Sequence, residues 1–276
     1  MEIRKLSAFC LGPAGGNPAG VVVDDALPER ETMQRIAREI GFSETVFCAK
    51  SGDGFQVRYF SPEMEIDFCG HATIALAGAL SLRTGGGRFR LHTLNGPVDT
   101  EGQKISDGFA EAGFVSPACR HATPAKADID LALDLFGLER SHLFREIAPA
   151  LIHAGADHLL LPLRDRGTLA SMDYDFERGK RLMREKGWVT IMLAQPESHA
   201  LFHVRNAFAY GGVQEDPATG AAAAALAGYL RASGYAPGTR VEIHQGDDMG
   251  MPCRLYATTP GAPGAGVKVS GTARVL

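Results

Sequence analysis

Gln214–Leu230 reads QEDPATGAAAAALAGYL, and the fold follows from how this stretch is interpreted. Gly220 is followed by five alanines and then Leu-Ala-Gly. Alanine is the best helix former, so the run is expected to be helical despite its glycines. No charged residue stands between Asp216 and Arg231. A helix that is apolar all round is a buried one. At about 11 residues it is too short to cross a membrane, which takes about 20. Nearly all its side chains are methyl groups, so the surrounding structure must come close. Asp216-Pro217 and Thr219-Gly220 sit where a helix start is read. The unpaired N–H groups and dipole of such a start favour an anion.

The stretch has an echo. Val57–Leu80, VRYFSPEMEIDFCGHATIALAGAL, resembles Val204–Tyr229, VRNAFAYGGVQEDPATGAAAAALAGY. Both run Val-Arg, Phe, acids, Gly, then a small-residue helix with Leu-Ala-Gly. Their offset is about half the chain, which implies two homologous halves; solenoid repeats are about 20–50 residues long. Two similar domains follow, each with a buried small-residue helix. Both helix starts are expected to face one cleft, since small ligands commonly bind between domains.

Composition sets the remaining bounds. The 276 residues suit two ordinary domains. With 45% apolar and 22% charged residues, a packed core can form. The formal charge of −4 comes with no basic stripe, which argues against nucleic acid as a partner. No signal peptide or membrane segment is legible, and the five cysteines form no C-x-x-C pair. These features predict a cytoplasmic protein without a disulfide framework or zinc site.

Along the chain, strands are expected at Ile3–Phe9, Val21–Val23, Ser43–Ala49, Phe55–Phe60 and Arg88–Thr93. GPAGGNPAG, Gly12–Gly20, is expected as a loop, and Pro28–Ile40 as a helix with one apolar stripe. The Asn95–Phe114 segment is turn-rich. The second half predicts helices at Ile129–Phe136 and Asp173–Lys186. Its strands are expected at Leu159–Leu163, Thr190–Ala194, Leu201–Arg205, Arg240–His244, Cys253–Thr258 and Val267–Val275. Strands outnumber helices and their connections vary, so the class is α+β with a mixed sheet.

Five motifs occur in order: Gly16-Asn17-Pro18, Ser43-Glu44-Thr45-Val46-Phe47, Asp67-Phe68-Cys69-Gly70-His71-Ala72-Thr73, Glu215-Asp216-Pro217-Ala218-Thr219-Gly220 and Gln245-Gly246-Asp247-Asp248-Met249-Gly250. With them the chain resembles the phenazine-biosynthesis PhzF-like family over nearly its whole length. The resemblance implies a diaminopimelate-epimerase-like fold, with each domain a β-barrel-like sheet around a central helix. It implies a first domain of 1–114 plus 267–276 and a second of 115–266. It also implies a homodimer and a cofactor-independent isomerase acting on a small carboxylate, without metal.

On its own, Glu44 reads as an edge glutamate facing solvent, since glutamate is rarely buried unpaired. The resemblance reverses that and makes Glu44 the proton-shuttling acid/base. Burial would raise its proton affinity toward neutrality. His71 stands at the first helix start and Asp216 ahead of the second; the resemblance makes both catalytic partners. Asn17, Gly70, Ala72, Thr219, Gly220 and Ala221 are the expected substrate-binding positions. Many family members carry serine where this chain has Ala221, so a hydroxyl contact is lost.

Related racemases and epimerases in the wider superfamily use two opposed cysteines. Cys69-Gly70 matches the first, but Thr219 occupies the second place, and a threonine hydroxyl is no base near neutral pH. Cys69 is therefore expected to be a small buried hydrophobe. A racemase and a non-catalytic small-acid binding protein are the rival readings.

Overall fold

The computed structural model describes residues 2–236, 240–259, 262 and 264–276. Two compact units emerge: one runs to Val115 and includes Val269–Leu276, the other spans Ser116–Lys268.

In the first unit eight strands close into a barrel. Glu2–Ala8 pairs antiparallel with Asn17–Asp24, which runs parallel to Glu44–Ser51. Gly54–Phe60 follows antiparallel, then Gly86–Thr93 parallel to it, then Gly96–Ser106 and Phe109–Ala118. Gly266–Val275 pairs with both Phe109–Ala118 and Glu2–Ala8, which closes the ring. Glu65–Ile66 adds two residues beside Gly54–Phe60.

The helix Gly70–Thr84 fills this barrel, and every residue from Gly70 to Ser81 is buried. The reason lies in its side chains. A Cβ on Gly78 would stand 2.5 Å from the Cβ of Ala273, so only glycine lets the strand pass this close. Polar groups inside are satisfied in place: Thr73 Oγ1 donates to the Cys69 carbonyl at 2.7 Å and lies 2.7 Å from the Tyr59 hydroxyl. The amphipathic helix Arg30–Ile40 covers the outside, burying Met33, Ile36 and Ala37 against Val22, Phe47 and Phe60. Strand Glu44–Ser51 is thus covered on both faces and is buried without interruption from Glu44 to Ala49.

The second unit repeats the pattern. Ala150–His153 is antiparallel to Asp157–Pro162, which is parallel to Thr190–Pro196. Leu201–Ala207 is antiparallel to that strand and parallel to Arg240–Gln245, and Cys253–Thr258 completes the run. Arg120–Ala122 extends the other edge. Glu215–Asp216 is the counterpart of Glu65–Ile66. The helix Gly220–Ala232 is buried from Ala222 to Leu230. Gly228 repeats the role of Gly78, since a Cβ there would lie 2.7 Å from the Cβ of Cys119. The shared Leu-Ala-Gly therefore marks a close approach in each unit. A second core packs Ile129, Leu133, Met183 and Trp188 over Leu159, Leu161, Ile191 and Leu193.

An ion pair is repeated as well. Arg58 Nε and Nη2 reach the two carboxylate oxygens of Glu65 at 2.6 and 2.5 Å. Arg205 Nε and Nη2 reach Glu215 at 3.0 and 2.5 Å. Each pair anchors the two-residue strand five positions ahead of the helix glycine, so each helix start is held in the same way.

Some expectations are corrected. Asn95–Phe114 is not turn-rich; it holds the long strands Gly96–Ser106 and most of Phe109–Ala118. Its glycine at 102 is a packing residue, since a Cβ would meet Ser81 Oγ at 2.4 Å. The Gly12–Gly20 loop ends early, with Asn17–Gly20 already in a strand. The helix expected over Asp173–Lys186 begins at Phe176, where the Asp175 carboxylate caps it by accepting from the Arg178 N–H. None of the five cysteines, all among the described residues, is in a disulfide. Among the described residues no helix is long and apolar enough to cross a membrane.

Candidate active site

Glu44 opens its strand and registers with Ala19 on the neighbouring parallel strand. Its side chain is buried, with 8% of the residue exposed. Burial raises its proton affinity above the usual carboxylate value, and hydrogen bonds from Ser43 and Cys69 pull partly the other way. His71, the second residue of the helix Gly70–Thr84, lies against it. Its Nε2 is 3.2 Å from Glu44 Oε2 and 3.5 Å from Ser43 Oγ. Its Nδ1 is 3.2 Å from Cys69 Sγ. In the tautomer with its proton on Nε2, the ring donates to the carboxylate.

Glu44, Cys69 and His71 each offer a ligand atom within 4.8 Å of the others, which is the composition of a metal site. The imidazole sets one nitrogen on each of the other two, however, and Cys69 also hydrogen-bonds Glu44. The arrangement suits a hydrogen-bonded relay better than three lone pairs converging on one ion. Cys69 is buried as expected of a small hydrophobe, but its sulfur has a polar partner.

Asn17 is 1% exposed and pairs in register with Ala8, so it is a strand residue and not part of the expected loop. Gly16 delivers it: at φ +85°, its Cβ would strike Ser7 Oγ at 2.3 Å. Gly70 and Ala72 lie in the first turn of the helix, which has no side-chain cap. The N–H groups of that turn have no partner within the helix.

Asp216, Thr219 and Gln245 form a second cluster within the other unit. The Thr219 hydroxyl donates to Asp216 Oδ2 at 2.7 Å. The Gln245 amide donates to the Asp216 carbonyl at 2.6 Å and to Thr219 Oγ1 at 3.1 Å, and its Oε1 accepts from the Thr219 N–H at 3.2 Å. Gly246 allows this turn, since a Cβ would lie 2.3 Å from the Met251 carbonyl oxygen. Gly220 and Ala221 follow at an uncapped helix start, Gly220 buried and Ala221 half-buried. Gln245 was quoted in a motif but given no role. Ser43 likewise stands in a quoted motif without a role, and its adjacency to Glu44 is the signal that points to it.

Comparison with known proteins bears on this geometry. A family model described as phenazine biosynthesis-like protein matches residues 6–276. An uncharacterized isomerase of Deinococcus radiodurans is 34% identical, over 97% of this chain and 87% of its own. The trans-2,3-dihydro-3-hydroxyanthranilate isomerase of Pseudomonas aeruginosa is 32% identical, over 96% of this chain and 91% of its own. The solved structure of a Bacillus anthracis phenazine biosynthesis protein of the PhzF family superposes with a TM-score of 0.84. It is 26% identical, with 100% of this chain and 98% of that one covered.

Proposed function

This chain belongs to the phenazine biosynthesis-like family, and on that footing we propose that it is a cofactor-independent isomerase moving a proton within a small carboxylate-bearing substrate. The observation that carries the reading is the buried Glu44 held against His71 at a helix start. As a carboxylate, Glu44 takes a proton from a carbon beside a π system, and the C–H electron pair enters that system. As a carboxylic acid it returns the proton to another carbon, so the atoms balance with no net oxidation or reduction. A proton affinity raised by burial suits a group that must give and take a proton near neutrality.

His71 donates to the ionised carboxylate and holds it in place. The N–H groups around Gly70–Ala72 and Gly220–Ala221, with Asn17, bind the substrate carboxylate and stabilise developing negative charge. Asp216, fixed by Thr219 and Gln245, orients the second helix start. In this proposal the substrate lies between the two units, and the protein works as a cytoplasmic homodimer; both points rest on the family resemblance.

The first compound to try is trans-2,3-dihydro-3-hydroxyanthranilate, named for the Pseudomonas aeruginosa relative. Ala221 offers no hydroxyl, so related cyclic hydroxy acids belong in the same set. Isomerisation leaves mass unchanged, so the test is proton NMR of each compound with the purified protein. Conversion of at least one to a product of identical mass supports the proposal. No conversion of any compound that the protein demonstrably binds contradicts it.

A further inference from the structure

The geometry points to a further site on this chain: a binding site for one divalent transition-metal ion, made by His203, His244 and Asp247. His203 and His244 are direct partners in the parallel register of Leu201–Ala207 with Arg240–Gln245. Their neighbours Phe202, Val204, Ile243 and Gln245 are buried, so the two imidazoles share the opposite face. The rings meet edge to face, with centroids 5.2 Å apart. Asp247 follows one tight turn after the second strand. One ligand atom from each of the three lies within 4.8 Å of the others. Zinc donors in a tetrahedral shell stand about 3.4 Å apart, a spacing that small side-chain rotations supply.

Three observations go beyond proximity. Each imidazole is backed by a carboxylate: His203 Nε2 lies 2.7 Å from Glu197 Oε2, and His244 Nε2 lies 2.7 Å from Glu242 Oε1. That pairing places the proton on Nε2 and leaves the lone pair on Nδ1, as in metal-ligating histidines with their outer carboxylates. Second, His203 Nδ1 is buried and makes no hydrogen bond. A buried polar atom left unsatisfied requires an explanation, and a metal ion supplies one. Third, the surroundings are acidic. Glu197, Glu242 and Asp247 bring three carboxylates to the two imidazoles, and Arg254 Nη1 lies 3.0 and 3.2 Å from the Asp247 oxygens. A dication is attracted by this group of carboxylates. Arg254 uses one lone pair on each Asp247 oxygen and leaves others open.

Two imidazoles and one carboxylate, with a position open to water, is a donor set that zinc accepts. His244 immediately precedes Gln245, whose amide holds Asp216 and Thr219. An ion here would therefore pin the strand pair that supports that cluster. The sequence does not disclose the site, because no short motif links His203 to His244.

The test is calorimetric titration of the metal-free full-length protein with Zn²⁺, paralleled by Co²⁺ absorption spectra. We expect one equivalent bound, with visible cobalt bands and no thiolate charge-transfer band. His203→Gln and His244→Gln should each weaken binding at least tenfold. Glu197→Gln, which alters an exposed carboxylate and spares the core, should weaken it by about 10–100-fold. Cys69→Ser should bind as the parent does. Absence of binding in the parent overturns the proposal. So does parental affinity in both histidine variants, or loss of binding in Cys69→Ser, which would move the ion to the Glu44 trio.

Discussion

His71 Nε2 lies 3.2 Å from Glu44 Oε2, and the other nitrogen of the same ring lies 3.2 Å from Cys69 Sγ. The histidine thus contacts both the buried carboxylate and the thiol. If its Nε2–H stabilises the ionised Glu44, removing it should cost turnover and make Glu44 harder to ionise. His71→Ala is expected to lower turnover by about 10–100-fold, as for a lost hydrogen bond to a charged group. The acid limb of the kcat/KM profile should move to higher pH. His71→Gln, which keeps a donor, should recover part of both. An unmoved pH profile in His71→Ala would contradict this role.

The burial of Glu44 has a sign that stability measurements can read. Its folded proton affinity is raised, chiefly by desolvation. Its contribution to stability is therefore fully present below the ordinary value of 4.5 and is lost as pH rises through the folded value. Glu44→Gln does not ionise, so it should be more stable than the parent at pH 8. The difference should vanish at pH 4. Urea unfolding at the two pH values checks this; an equal effect at both would show that ionisation is not the cause.

Cys69 touches the histidine through its sulfur, yet Thr219 leaves no partner thiol for a two-cysteine mechanism. Thr219 instead spends its hydroxyl on Asp216. Cys69→Ser keeps a hydrogen-bonding group beside His71 Nδ1, so turnover should stay within about tenfold of the parent. Loss of a proton-transferring residue is typically larger, about 10²–10⁴. A fall of that size in a folded Cys69→Ser protein would restore the thiol as the base.

Arg205 and Glu215 are nearly buried, with 12% and 5% of their side chains exposed. Arg205→Met would leave the Glu215 charge without its partner. The expected loss is about 3–5 kcal/mol in denaturant unfolding, as for breaking a buried pair from one side. Arg205 Nη1 also donates to the Ala170 and Met172 carbonyls, which adds to the loss. A change below about 1 kcal/mol, the range of an exposed pair, would contradict the anchoring role.

The two central helices were legible because composition alone forces them inside: a run of methyl groups with no charge has no solvent face. The repeated Leu-Ala-Gly carried more than its letters, since Gly78 and Gly228 each face a Cβ that would be struck. The hairpin strands between Gly96 and Ala118 were hidden because their glycines and polar residues imitate turns. There Gly102 faces Ser81 inside the barrel instead. Glu44 was found by resemblance; its own sequence surroundings favour a solvent-facing edge, and burial became visible only with both faces of the strand covered. Gln245 and the His203–His244 pair depend on register, which joins residues that a linear reading keeps apart.

The most direct test of the account is the turnover of Glu44→Gln on a substrate that the parent converts, measured together with binding. Glutamine preserves size and hydrogen bonding but cannot carry the proton. The account predicts a loss of about 10²–10⁴ in kcat, as for removal of a general acid–base group. Binding should be retained or tightened, since a negative charge near the substrate carboxylate is gone. Turnover at the parent rate by a folded Glu44→Gln protein would contradict it.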